Sequence, residues 1–376
     1  VNNMSKNILN APFRADIVGS FLRPEDIKLA RVKFAKGDIT SEELKQVEDK
    51  CIAELIEKQK KAGLQVITDG EFRRSYWHLD FMWGINGAKH IELDNGYFFH
   101  HEETTRGSVA LTGKINGNNH PFVEHFKYVK QFETENVVAR QTIPAPAQFY
   151  AELFRGDNSK TTTAIYPDNE ELIWDIAQTY RTIIRDLYDA GCRNIQFDDC
   201  TWGMVCDKNF WTSMVGSSYN AEQLQETYLG LNNLALEERH EGLVISTHVC
   251  RGNYHSSWAS EGAYDAVENF LFARENVDAF YLEYDDERSG GFEPLAHVAP
   301  DKKVVLGLIT TKSPILEDKQ TIISRIHEAE RYIPLDRLYL SPQCGFASCE
   351  IGNKLNEEEQ WAKIKLVKEI AKEVWG

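Results

Sequence analysis

The stretch Leu243-Val244-Ile245-Ser246-Thr247-His248-Val249-Cys250 opens as an apolar, β-branched run and turns polar only at its C-terminal end. A run of this length and composition reads as a strand buried on both faces, the kind that builds parallel sheets covered by helices. Working outward, comparable runs stand at 15–20, 65–69, 139–145, 194–198, 279–284, 303–309 and 337–341, with 243–248 as the fifth of eight. Apolar residues at helical spacing fill the intervals at 41–62, 169–190, 221–240, 262–275 and 317–332, and Asn356 is placed to cap a last helix over 357–375. Strands alternating with helices in this way predict a single α/β domain over 1–376, a (β/α)8 TIM barrel. One stretch breaks the rhythm. Residues 84–128 alternate aromatic, Thr and Val residues with turns such as Asn116-Gly117-Asn118, which predicts a β-hairpin insertion after the second strand.

Composition narrows the class of partner. The chain has 376 residues, 42% of them hydrophobic and 11% aromatic, enough to build one large core. Lys and Arg total 42 against 58 Asp and Glu, and the resulting charge of −16 disfavours the basic footprint that nucleic-acid binding requires. Small-molecule substrates are the expected partners, and nothing in the sequence speaks to oligomeric state. No apolar run reaches the roughly 18 residues of a membrane span, and the first residues lack the zones of a signal peptide, so a cytoplasmic location is expected. Seven cysteines, an odd number spread from Cys51 to Cys349, suggest free thiols and metal ligands rather than a disulfide framework.

In a barrel, reacting groups gather where strands end and their loops begin. His248 and Cys250 lie two apart at such an end, so they face the same side. Alone, a His-x-Cys is more often a buried cysteine beside an incidental histidine. Two further strand ends change the weighing: Tyr281-Leu282-Glu283-Tyr284 buries a carboxylate in an apolar strand, and Pro342-Gln343-Cys344-Gly345 adds a second thiol. His248, Cys250, Glu283 and Cys344 together form a tetrahedral set suited to Zn2+, with an ion pair between Glu283 and Arg288 as the alternative reading. Two thiolates and a carboxylate carry three negative charges against two on the ion. Such an electron-rich centre suits activation of a thiol for alkylation better than generation of hydroxide for hydrolysis. His100, His101, His120 and His125 make a weaker second constellation.

Taken together, Val18-Gly19-Ser20-Phe21-Leu22-Arg23-Pro24, Thr68-Asp69-Gly70-Glu71-Phe72, Ile195-Gln196-Phe197-Asp198, Thr247-His248-Val249-Cys250, Glu283 and Pro342-Gln343-Cys344-Gly345 appear in the order found in one family. The chain resembles the catalytic half of the cobalamin-independent methionine synthases, in a short single-barrel form. The resemblance implies zinc on the same four ligands and makes Ser20, Glu71 and Asp198 the residues that hold the amino-acid end of homocysteine. Each has a structural alternative: Ser20 capping a turn, Glu71 paired with Arg73 or Arg74, Asp198 capping a helix. It further implies a methyltransferase that moves a methyl group from 5-methyltetrahydrofolate or a related carrier to homocysteine, giving methionine. Two departures touch the donor side. Where the family places a tryptophan against the folate ring, this chain reads Pro144-Ala145-Pro146-Ala147-Gln148-Phe149-Tyr150, offering Phe149 or Tyr150. Where the family places a histidine proton donor, it reads Lys312-Ser313-Pro314, so Lys312 is either the donor or a partner of a surface acid. The alternatives are a zinc alkyltransferase acting on another small thiol or on an electrophile such as an epoxide, and a non-catalytic zinc-dependent protein that binds sulfur amino acids.

Overall fold

A computed structural model of the chain describes residues 9–94, 96, 98–99, 102–103, 106–207 and 220–376. Six parallel strands run side by side: Gln141–Pro144, Asn194–Asp199, Val244–Val249, Ala279–Glu283, Lys303–Ile309 and Leu338–Pro342. A shorter parallel pair, Val66–Ile67 with Val138–Ala139, continues the wall, because Val138–Ala139 and Gln141–Pro144 are two halves of one strand. The first strand joins the far edge through a parallel bridge from Ala15 to Leu340, giving the strand order of a (β/α)8 barrel. Between this first strand and Val66–Ile67 no ladder forms among the described residues. That seam is held just above the strands, where the Thr68 hydroxyl donates to the Gly19 carbonyl at 2.6 Å and the Phe21 N–H to the Gly70 carbonyl at 3.1 Å.

Strand parity sorts the side chains. Phe280 and Leu282 point outward into the large core shared with the helices, whereas Ala279 and Tyr281 form an inner cluster with Val305 and Tyr339. Glu283 continues the inward series at the strand's C-terminal end, and His248 does so on the fifth strand, while Ile245 and Val249 join the outer core. His248 stands opposite Asp198 on one neighbour and Tyr281 on the other. The interior also carries polar groups. Arg140 donates to Asp16 at 2.9 Å and to the Tyr281 hydroxyl at 2.9 Å, tying the first, third and sixth strands together.

Helices over Ser41–Lys61, Asn169–Asp189, Ala221–Leu236, Lys319–Ala329 and Glu357–Trp375 lie within about a turn of their expected places. Thr40 and Asn356 each close a capping box, with Glu43 and Glu359. The expected helix over 262–275 is instead a 3-10 turn, Tyr264–Ala266, followed by a π turn, Glu268–Phe272. The fully buried Tyr264 is pinned there by a hydrogen bond from its hydroxyl to the Glu283 carbonyl at 3.0 Å. The segment that breaks the sequence rhythm contains an antiparallel pair, Asn86–Glu92 with Gly107–Asn116. Phe98–Phe99 and Glu102–Glu103 form a second antiparallel pair, but the C-terminal part is not hairpin: Pro121–Lys130 is a helix, with His120 Nδ1 accepting from the Phe122 N–H. Phe122, Phe126 and Val129 carry helical spacing that the neighbouring aromatics obscured. Among the described residues no helix is long and apolar enough to cross a membrane.

Candidate metal centre

Four groups from three strand ends converge at the C-terminal mouth of the barrel. The ligand atoms of His248, Cys250, Glu283 and Cys344 all lie within 4.8 Å of one another, and all four residues are buried. The two sulfurs are 3.9 Å apart, close to the roughly 3.8 Å edge of a tetrahedron with 2.3 Å zinc–sulfur bonds. His248 turns Nδ1 toward the Tyr281 carbonyl at 3.3 Å, which leaves Nε2 without a hydrogen-bond partner; Glu283 Oε2 also has none. Unpaired polar atoms at this depth cost free energy unless something else meets them. Asn253 supports the cluster from outside, donating to Glu283 Oε1 at 2.5 Å and to Cys250 Sγ at 3.6 Å. Gln343 in turn holds Asn253 Oδ1 at 3.2 Å. This layered arrangement fits a metal centre whose ligands are oriented by a surrounding shell.

The electrostatics agree. Hydrogen bonds from Cys200 and Cys344 hold the Cys250 thiol well below its ordinary range, with His248 contributing. Cys344, sharing that proton with Cys250, is pushed well up. Burial, reinforced by the negative charge of Cys250, raises Glu283 to about 7. Burial lowers His248, but the negative charges of Cys250, Asp198 and Glu283 outweigh it and bring His248 to about 9. Acidic groups that suppress one another's ionisation in this way are the surroundings in which a divalent cation is most favourable.

Beside this cluster lie two more buried carboxylates. Asp198 accepts from Gln196 Nε2 at 2.9 Å and is raised to about 7 by burial and by the charge of Glu71. Glu71 accepts from the Thr142 hydroxyl at 2.8 Å and stands 3.5 Å from Arg74, while its Oε1 has no hydrogen-bond partner. Its backbone is left-handed, with φ of 62°, a conformation that costs a non-glycine residue about 1–3 kcal/mol and is typical of functional positions. Ser20 Oγ accepts from the Ala347 N–H at 3.2 Å. A Cβ on Gly345 would fall 1.8 Å from that oxygen, so only glycine lets the Cys344 loop approach Ser20. Phe149 is fully buried in the outer core and presents no free ring face. Lys312 is paired with the buried Asp285, not with a surface acid. His120 Nε2 engages the Phe81 carbonyl at 2.8 Å, whereas His100 and His101 lie outside the described residues.

Three participants escaped the sequence reading. Gln343 sits next to Cys344 and Asn253 three residues past Cys250, but amides carry no ligand signature. Cys200 packs against Cys250 and Cys344, with Trp77 and Met204 alongside; its place two residues after Asp198 on the inward parity was the available signal.

Comparison with known proteins places the whole barrel in one group. The profile of the family described as cobalamin-independent synthase, catalytic domain, matches residues 13–373. An uncharacterized protein of Bacillus subtilis, YxjH, is 43% identical over 366 residues, covering 97% of this chain and 95% of its own. A crystal structure from Listeria monocytogenes is 38% identical with a TM-score of 0.77, covering 98% of this chain and all of that one. A B12-independent methionine synthase from a Shewanella species, solved with selenomethionine, shares the fold at a TM-score of 0.71 and 18% identity, covering 97% of this chain and 98% of that one.

Proposed function

The chain belongs to the cobalamin-independent methionine synthase family, and from that premise we propose that it is a zinc-dependent methyltransferase acting on the thiol of homocysteine. The observation that carries the reading is the juxtaposition at one barrel mouth of a four-ligand metal cluster and a second pair of buried carboxylates. His248, Cys250, Glu283 and Cys344 would hold the zinc. When bound there, the ion would lower the pKa of an incoming thiol from about 8.5 while the thiolate-rich site leaves its sulfur nucleophilic. Glu71 and Asp198 supply two negative charges for the substrate ammonium, and Ser20 a hydroxyl for its carboxylate. The ammonium would relieve the repulsion that raises Asp198, so the clamp favours an amino-acid thiol over a plain one. On the donor side, 5-methyltetrahydrofolate is the proposed carrier. Lys312, held on Asp285 at the mouth of the seventh strand, is the candidate to protonate the departing nitrogen.

Methionine formation by zinc-loaded protein given homocysteine and 5-methyltetrahydrofolate tests the proposal, and no turnover would discard this donor. The buried Phe149 favours one further reading, a related thiol alkyltransferase with a different alkyl donor. Titrating homocysteine against 4-mercaptobutyrate, which lacks the α-amino group, separates acceptors: equal affinity would remove the amino-acid clamp and leave another small thiol as the acceptor.

A further inference from the structure

We infer that Trp77 is the surface on which the flat ring of the methyl donor stacks, an inference that rests on the methyl-transfer reading above. Methyl transfer requires the donor nitrogen to bring its methyl group to the sulfur, so the donor ring must settle beside the thiols. Among the described residues, the partly buried apolar side chains packed against Cys200, Cys250 and Cys344 are Trp77 and Met204. Trp77 stacks one face on His78, with ring centroids 4.5 Å apart and planes 26° from parallel, and it remains partly exposed.

Its position is fixed by the loop that carries a proposed ligand. The Trp77 N–H donates to the Ser348 carbonyl at 2.8 Å, Tyr76 and Cys349 form an antiparallel bridge, and the Glu350 N–H donates to the Ser75 carbonyl at 2.9 Å. Arg74 closes the turn by donating to the Trp77 carbonyl at 3.0 Å. The loops after the second and eighth strands are thus zipped together four residues past Cys344, and Trp77 cannot shift without moving the loop of that thiol. The aromatic residues after the third strand offer no substitute. Phe149 is enclosed, and Tyr150 lies against Phe154 and Tyr228 with its hydroxyl on Asn169. A tryptophan face beside the thiols favours an uncharged flat heterocycle, the chemistry of a reduced pterin, through offset stacking.

Trp77→Ala and Trp77→Phe test the inference in the zinc-loaded protein. Calorimetric titration with tetrahydrofolate should show Kd raised roughly tenfold or more by Trp77→Ala and only about twofold by Trp77→Phe, in line with aromatic stacking by a base-like ring. Zinc content and homocysteine affinity should stay within about twofold of the parent. Unchanged tetrahydrofolate affinity in Trp77→Ala, no binding of tetrahydrofolate by the parent, or equal loss of zinc and both ligands would overturn the inference. Methionine formation by the parent tells the two failures apart. With turnover intact and Trp77→Ala inert on the donor, only the stacking role falls; without turnover, the methyl-transfer reading falls too.

Discussion

Cys344 and Asn253 touch the same cluster through different chemistry, and their replacements should separate ligand from support. Serine in place of Cys344 removes a soft thiolate while keeping the volume nearly unchanged, so zinc retained after dialysis should drop to a small fraction of the parent's and the circular-dichroism spectrum should not change. Asn253→Ala leaves all four ligands in place but removes the donor to Glu283 and Cys250 together with the acceptor of Gln343, and should weaken zinc affinity by roughly 10–100-fold, the usual cost of losing an orienting partner. Equal zinc content in all three proteins would rule the cluster out as a metal site. Glu275 offers a pH test away from this centre. It is fully buried, raised to about 8 by burial and by Asp199, and accepts from Asn232 Nδ2 at 2.6 Å. In the unfolded chain its pKa is about 4.3, so between that value and about 8 the folded state binds the extra proton and stability falls as pH rises. Glu275→Gln keeps the acceptor and removes the titration. Its Tm should exceed the parent's by several degrees at pH 8, with the difference shrinking toward pH 5; a constant difference would show that Glu275 does not titrate as argued.

At the scale of elements, the helix Glu357–Trp375 does more than cover the barrel. Its fully buried Lys363 donates to the Ile315 carbonyl and to Glu317 Oε1, and Glu317 Oε2 accepts from the Thr310 N–H at 2.7 Å. One buried ammonium therefore organises the loop that sets Lys312 on Asp285. Lys363→Met should destabilise the protein by about 3–5 kcal/mol, because it strands a carboxylate in a poorly hydrated position. Adding Glu317→Leu should recover much of that loss in urea unfolding. Strictly additive losses would contradict the pairing.

For the molecule as a whole, the weak place is the seam between the first strand and Val66–Ile67, where side-chain and loop contacts stand in for a ladder. Arg140 braces this region from inside through Asp16, the Ile17 carbonyl and Tyr281. Its guanidinium and the Asp16 carboxylate are 1% and 0% exposed, so each is costly without the other. Arg140→Met should therefore cost about 3–5 kcal/mol in equilibrium unfolding. It should also increase hydrogen exchange along 15–20, while 319–329 on the far helix changes less. An unchanged urea midpoint would remove Arg140 from this bracing role.

The sequence by itself determined what depends on near neighbours: alternating strand and helix, the cap at Asn356, and the inward parity that put His248 and Glu283 at strand ends. Period and capping are local properties, readable within a dozen residues. Only the tertiary structure decided which distant groups meet. It set Cys344 against Cys250 across 94 positions of chain, brought Cys200 and Trp77 to the same thiols, buried Phe149, and paired Lys312 with Asp285. The π turn after Tyr264 belongs here as well, since apolar spacing is nearly the same for neighbouring helix types and packing alone selects among them.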